Sequence, residues 1–451
     1  MTTAAQTPTE VRLRAYNVGF GDCILITITY RDRSRRHLLV DFGSTKAAGT
    51  TLRTTAEALR DETQNEGIAA AIVTHQHRDH ITGFATKPKR SDDPVAALKP
   101  KLLIRPWMDQ PEPSRVGRQS RRHAQLLRSL DSLVNVTKQR ALRGSPITSL
   151  LNLQLVDTAA SQVLADWEAN GTRTIYVKAG DRPSITRYLP GVSLDIIGPP
   201  TVEQVPFLAS YDRDDPEQFW ARHQAAAATI KERLEWTIAD KDLDTLAGAD
   251  GLGAAAWLAN RMNDSQRSNL LAVARGFDSF LNNTSVIALL KVGARTLLLC
   301  GDAQIENWSH ALALADALTP GLRARFEQAG IEPPEPDGLA HRLANIDLYK
   351  VGHHGSKNAT PKTLFSLWED QRAGAVPVVT VMSTVDGFHG ERTNNGEVPR
   401  RTLVRALRTK TTAYSTHMLK TDDPVHWLDL TAPTIGAGTF AGRRGRLTPE
   451  H

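Results

Sequence analysis

"THQHRDHITG", residues 74–83, crowds three histidines and one aspartate into six positions of a 451-residue chain that holds only fourteen histidines. Imidazole is a poor core filler, and neighbouring rings repel once protonated, so such a cluster needs something to hold. A metal ion is the natural candidate. His75 and His77 stand two apart, so on an extended segment they point the same way and can share one ion. Asp79 and His80 follow past a bend and suit a second. Nitrogen and carboxylate donors at ~2.0–2.2 Å match zinc, with manganese or iron as further options. The run just upstream, "IAAAIVT" (68–74), is short and continuously apolar, which marks a strand buried on both faces. The histidines therefore begin where a buried strand ends, a position where α/β proteins concentrate their chemistry. Surface-loop histidines would not require that placement.

Two distant segments repeat the pattern. "LLLCGDA" (297–303) ends an apolar run on Gly301 and Asp302, and a carboxylate there could bridge two ions. "YKVGHHGSK" (349–357) runs into His353 and His354. Each alone reads as a turn or a chance pair; three such strand ends in one chain point to one centre. Around them, 11–18, 19–30 and 37–44 alternate like strands. Residues 51–67 have helical spacing with Gly67 as a stop. Further strands are expected within 192–200, 284–303, 346–356, 376–384, 411–416 and 424–430.

"THQHRDH", "CGD" and "GHHGS" together resemble the metallo-β-lactamase fold superfamily. The nearest likeness is to its branch with the hydrolase domain of ComEC-type DNA-uptake proteins and the phosphorylcholine esterases. "NVGFGDCILI", "LLVDFGS", "NNTSVIALL" and "KVGHHGSK" resemble that branch's signatures in the same order. The resemblance implies an α/β chain folded as an αββα sandwich over 11–432, with two insertions (85–150, basic; 201–281, helical); the stretch 433–451 has no apolar period and is expected to be a flexible tail. It further implies a centre of two divalent ions, Zn²⁺ or Mn²⁺. His75 and His77 match ligands of the first ion, and Asp79 and His80 ligands of the second. Asp302 matches the bridging carboxylate, and one of the histidine pair the last ligand. His354 is favoured for that place because it directly precedes a glycine. His353 is then left facing the substrate as a proton donor or a partner for an anionic oxygen. Asp79 would also orient the attacking hydroxide, and Asp41 matches a carboxylate that holds a ligand histidine from behind. His389 lies in a stretch resembling the family's late loop and is a candidate to reach the site; otherwise it is a loop histidine. The family's usual further histidine for the first ion has no counterpart near "DIIGPP" (195–200). His223, on an apolar helical stripe, is one substitute, although core histidines sit on such stripes too.

Two ions roughly 3.5–4 Å apart can hold a hydroxide and stabilise both oxygens of an in-line displacement, on a phosphodiester, thioester, lactone or β-lactam. Charge favours the first. Between Thr86 and Arg143 there are fourteen Lys and Arg against five Asp and Glu, an excess larger than the whole chain's +6. Arg118, Arg121, Arg122 and Arg128 fall on one expected helix and suit the phosphates of a nucleic acid, DNA above all. A solvated basic insertion is the plainer alternative. The leading expectation is a metal-dependent phosphodiesterase or nuclease. A small-molecule hydrolase (lactone, thioester or cyclic nucleotide) is the alternative enzyme, and a degenerate metal-binding interaction module the alternative outside catalysis. The helical insertion could cover the cleft, or serve a protein partner or a second copy. With no apolar run of ~20 residues, no membrane partner is expected. The start "MTTAAQTPTE" lacks a secretory pattern, and the chain has only two cysteines. Both point to a soluble cytoplasmic protein.

Overall fold

The computed structural model describes residues 6–45, 49–86, 93–111, 113–121, 124, 157–209, 281–358, 360–371, 377–387, 398–419 and 426–447. The alternating N-terminal segments form antiparallel β1 (Pro8–Tyr16), β2 (Cys23–Tyr30) and β3 (Arg35–Phe42), with Leu13 opposite Ile26 and Leu25 opposite Leu39. Helix α1 (Gly49–Thr63) then crosses to β4 (Ile68–Ile72), which runs parallel to β3. The expected glycine stop is there, but the helix ends four residues before it. Gly67, at φ +69°, donates its N–H back to Thr63 O at 2.7 Å.

The single turn α2 (Arg78–Ile81) carries Asp79 and His80, and His75 and His77 lie in the segment leading into it. Beyond it, β5 (Leu102–Pro106), helix α3 (Thr158–Ala169) and β6 (Arg173–Val177) extend the parallel side. At the far edge β13 (Trp427–Pro433) pairs with β1, giving a seven-stranded sheet in the order β13-β1-β2-β3-β4-β5-β6.

The second sheet has six strands. Antiparallel β7 (Val192–Gly198), β8 (Ile287–Val292) and β9 (Arg295–Leu299) turn, through β9, into parallel β10 (Leu348–Lys350), β11 (Val379–Met382) and β12 (Thr412–Ser415). Helices α4 (Ile305–Leu314), α5 (Pro320–Gln328), α6 (Leu339–Ala344), α7 (Lys362–Gln371) and α8 (Arg401–Lys410) belong to its crossovers.

Three apolar clusters bind these parts. One joins inward residues of both sheets, among them Leu13, Ile26, Val40, Ile72, Leu290, Leu299 and Val381. A second backs the seven-stranded sheet with α1 and α3, through Leu39, Ala56, Leu59 and Leu164. A third backs the six-stranded sheet with α4 and its neighbours, through Leu298, Trp308, Leu343 and Leu364. The chain is thus a mixed α/β protein of two mixed sheets with helices. Among the described residues no helix is long and apolar enough to cross a membrane.

Two boundaries differ from the sequence expectation. The stretch 85–150 is not wholly an insertion, because "LLIRP" within it is β5, buried throughout between β4 and β6. Its apolar residues are too few to stand out among the surrounding lysines and prolines.

The tail from 433 was expected to be flexible, yet 434–447 is seated across the molecule. Arg295 holds it, donating from Nε to Pro433 O (2.7 Å) and from Nη2 to Gly436 O (2.6 Å). Ala441 bridges to Thr431, and Arg446 to Tyr414. Phe440 and Leu447 are buried. Isolated bridges and two anchors leave no periodicity for a sequence reading to detect. Nearly all of the 201–281 insertion, with His223, falls outside the described residues, as do Arg122, Arg128 and His389.

Candidate metal centre

The parallel strands of both sheets deliver their carboxyl ends to one place. β4 leads into His75, His77, Asp79 and His80, β9 into Asp302, and β10 into His353 and His354; Asp41 lies at the end of β3. Close approach requires glycine at two points. Gly301 has φ +49°, and a Cβ there would stand 2.6 Å from Thr74 Oγ1. A Cβ on Gly43 would lie 2.5 Å from the main-chain nitrogens of His80 and Ile81. Three non-glycine residues also take left-handed backbone here: Asp41 (φ 53°), His353 (φ 43°) and His354 (φ 52°). Such conformations cost on the order of 1–3 kcal/mol each and concentrate where geometry serves function.

One ligand atom from each of Asp79, His80, Asp302 and His354 lies within 4.8 Å of the others, and all four residues are buried. His354 Nε2 is 3.2 Å from Asp79 Oδ2 and 3.6 Å from Asp302 Oδ2. His80 Nε2 is 3.2 Å from Asp302 Oδ1. Ligands on one tetrahedral ion of bond length ~2.1 Å stand about 3.4 Å apart, so this donor set fits a divalent metal ion. A second group, Asp22, Asp41 and His80, meets the same distance criterion. His75 and His77 belong to neither group, but they approach each other, Nε2 to Nδ1, at 3.0 Å.

Hydrogen bonds behind the ligands fix their orientation. Asp41 accepts from Thr74 N (2.8 Å), Thr74 Oγ1 (2.7 Å) and His80 Nδ1 (2.8 Å). The His80 proton therefore sits on Nδ1, and Nε2 faces the four-residue group. His354 Nδ1 donates to Ser383 O at 3.0 Å, which likewise turns its Nε2 inward. Asp302 is held by its N–H on Ser285 Oγ (3.1 Å) and accepts from His353 N (3.1 Å). His353 itself stands outside the group: its side chain is 25% exposed, Nδ1 lies 3.0 Å from Asn358 Oδ1, and Nε2 is 4.0 Å from Asp302 Oδ2.

The buried acids and histidines of the cluster shift one another's ionisation. Burial opposes charge on His80, but Asp302 and Asp41 at its two nitrogens raise its pKa well above the usual range. His354 is raised against its burial by Asp302 and by its hydrogen bond to Asp79. Burial would lift Asp79 and Asp302, yet the facing histidines hold both carboxyls low. His75 goes the other way: burial and then the neighbouring His80 and His77 push it well below the ordinary histidine value. A bound ion would take over the role of the protons on His80 and His354.

Two residues of this region were not singled out in the sequence. Asp22, in "GFGDC", and Lys350, in the strand "LYK", form a buried ion pair through Asp22 Oδ2. A lysine inside an otherwise apolar strand was the available signal.

The basic segment is described only in part. Arg118 and Arg121 are exposed. Their short helical turn is fastened by Glu203, which accepts from Ser120 N at 3.1 Å and from the Ser120 hydroxyl. Arg121 Nη1 donates to Val116 O at 2.7 Å, and Arg115 pairs with Asp181 at 2.8 Å. Comparison of the chain with protein-family models and with curated proteins gives no match.

Proposed function

We propose that the chain is a metal-dependent hydrolase of the αββα metallo-β-lactamase type, a phosphodiesterase or nuclease that acts on DNA. The observation that carries the reading is the convergence of Asp79, His80, Asp302 and His354 at strand ends of both sheets. His75 and His77, with ring nitrogens 3.0 Å apart, would supply two donors for a second ion. Zn²⁺ or Mn²⁺ suits this mixture of nitrogen and carboxylate donors.

Charge supports two ions and an anionic substrate. Among the described residues of the centre, Asp22, Asp41, Asp79 and Asp302 are buried carboxylates and Lys350 is the one buried lysine. With neutral histidines, one divalent ion leaves this group net negative. Two leave a single positive charge, which a phosphodiester neutralises. Divalent ions there would activate water and draw charge from a phosphoryl oxygen. The chain's own groups do the rest. Asp79 orients the attacking water. His353, whose Nδ1–H is committed to Asn358 Oδ1, exchanges a proton with the substrate through Nε2. The exposed Arg118 and Arg121 supply positive charge for a phosphate backbone.

A small-molecule diesterase or lactonase is the second reading. It is favoured by the internal commitments of Arg115 and Arg121, which leave less of the basic segment for a polymer.

Metal analysis after purification in Mn²⁺ or Zn²⁺, with a plasmid-nicking assay, tests the proposal. About two ions per chain are expected, with metal and nicking both lost in Asp79→Ala and Asp302→Ala. A wild-type chain free of metal would sink it. To separate the two readings, DNA affinity is followed against salt in an Arg118→Ala/Arg121→Ala variant. The log–log slope should flatten by about one to two, at roughly 0.9 per phosphate contact. Hydrolysis of bis-p-nitrophenyl phosphate should hold steady. An unchanged slope favours the small-molecule reading.

A further inference from the structure

The group Asp22, Asp41 and His80 has the spacing of a metal site, yet a lysine reaches into it. Strand alternation explains how. Tyr349 packs in the outer cluster, whereas Leu348 lies in the core between the sheets, so Lys350 points inward with Leu348. Lys350 is 2% exposed, and its ammonium bonds to Asp22 Oδ2, the oxygen 3.7 Å from His80 Nδ1. The other members are already engaged: Asp41 Oδ2 accepts from His80 Nδ1 and from Thr74 Oγ1. Asp22 Oδ1, also buried, has no hydrogen-bond partner among the described residues. A buried ammonium costs several kcal/mol unless it is paired, so a lysine on the core face of a central strand calls for a reason.

We infer that Lys350 is the resident cation of the Asp22–Asp41–His80 cluster, and that by filling it the lysine keeps metal out and confines metal to the adjoining Asp79–Asp302–His354 side. The inference rests on the metal reading of that neighbouring group. Lys350 is a positioning residue in this scheme. Through Asp22 it stands behind His80 and His354, whose Nδ1 atoms are 3.7 and 4.0 Å from the Asp22 carboxylate. The Asp22 N–H also donates to Asp79 O at 2.9 Å. A metal in the lysine's place would sit on the Nδ1 side of His80, opposite the Nε2 that faces the working centre.

Counting ions tests this without any assay of activity. Wild type, Lys350→Met and the double variant Asp22→Asn/Lys350→Met are dialysed against Mn²⁺, washed and analysed for metal per chain, with folding followed by circular dichroism. Lys350→Met should carry one ion more than wild type, and the double variant should lose that extra ion. Equal counts in folded wild type and Lys350→Met overturn the inference, as does an extra ion that persists in the double variant. If Lys350→Met folds only with Mn²⁺ supplied, the ion has replaced the ammonium, as expected. If it stays unfolded with Mn²⁺ while the double variant folds, the lysine's role is structural alone. A wild-type chain without metal refutes the hydrolase proposal separately, because the difference between wild type and variant can still be read.

Discussion

Replacing Asp41 by asparagine exchanges one carboxylate oxygen for an NH₂ group and should move a proton on a different residue. At φ 53° the position is one that asparagine adopts as readily as aspartate, so the backbone should survive. The amide oxygen can take the place of Oδ1 and keep the 2.8 Å bond from Thr74 N. The NH₂ then stands where Oδ2 accepted from Thr74 Oγ1 and His80 Nδ1. The threonine hydroxyl can rotate and accept. His80 can meet a donor only with a bare Nδ1, which sends its proton to Nε2, the nitrogen 3.2 Å from Asp302 that would bind the ion. Turning the amide over moves the clash to Thr74 N, where a buried donor left unsatisfied costs about 1–3 kcal/mol. Loss of such a supporting bond typically weakens metal binding 10–100-fold, about 1.4–2.7 kcal/mol. Competition against a chromophoric chelator measures the affinity, and long-range ¹H–¹⁵N spectra of the metal-loaded protein report the His80 tautomer. Affinity within about threefold of wild type would refute the reasoning. So would a large loss with the proton still on Nδ1.

The histidine pair should divide its labour: His354→Ala loses metal, whereas His353→Ala keeps it and turns over more slowly, and metal loss in both or the reverse pattern would show the roles misassigned. Stability should fall on acidification through two buried histidines outside the centre, His37 and His310. Burial lowers His37 and His310 to about 4 each, so below the usual 6.5 the unfolded chain takes up protons that the folded chain refuses. Their contribution is therefore intact above pH 6.5 and disappears toward pH 4, at most about 3 kcal/mol per residue. Denaturant midpoints of wild type and His310→Gln between pH 7 and 4.5 check this, and parallel curves would contradict it.

The site was more legible than the scaffold around it. Thr74–His80, Gly301–Asp302 and His353–His354 each follow a short apolar run, and a strand that ends in ligands declares itself locally. Asp41 could be matched only by resemblance, because its partners Thr74 and His80 come more than thirty positions later. Asp22 and Lys350 were passed over for the same reason in stronger form: the two are 328 positions apart, and neither means anything without the other. The strands β5 and β6 are hard to read in the sequence because "LLIRP" and "RTIYV" are only five residues long, carry an arginine each and show no apolar–polar alternation. β5 owes its burial to its neighbours in the sheet, whereas β6 is the edge strand, with Arg173 exposed and Val177 its one buried residue.

The pairing of the first strand with the last has a consequence for how the molecule is made. Arg14 meets Asp429 across β1 and β13, 415 positions apart. At ordinary synthesis rates the β1 edge waits on the order of tens of seconds for its partner to leave the ribosome. Until then the main-chain groups of Val11, Leu13 and Ala15 on that side face outward, an edge on which another nascent chain could dock. The late-arriving segment then closes both sheets at once. β13 covers β1, and residues 441–447 run on to touch Tyr414 in β12, the border strand of the other sheet. A nonsense change after residue 419 would spare every proposed ligand and still leave a protein with two open borders, prone to associate through them rather than to lose its chemistry outright.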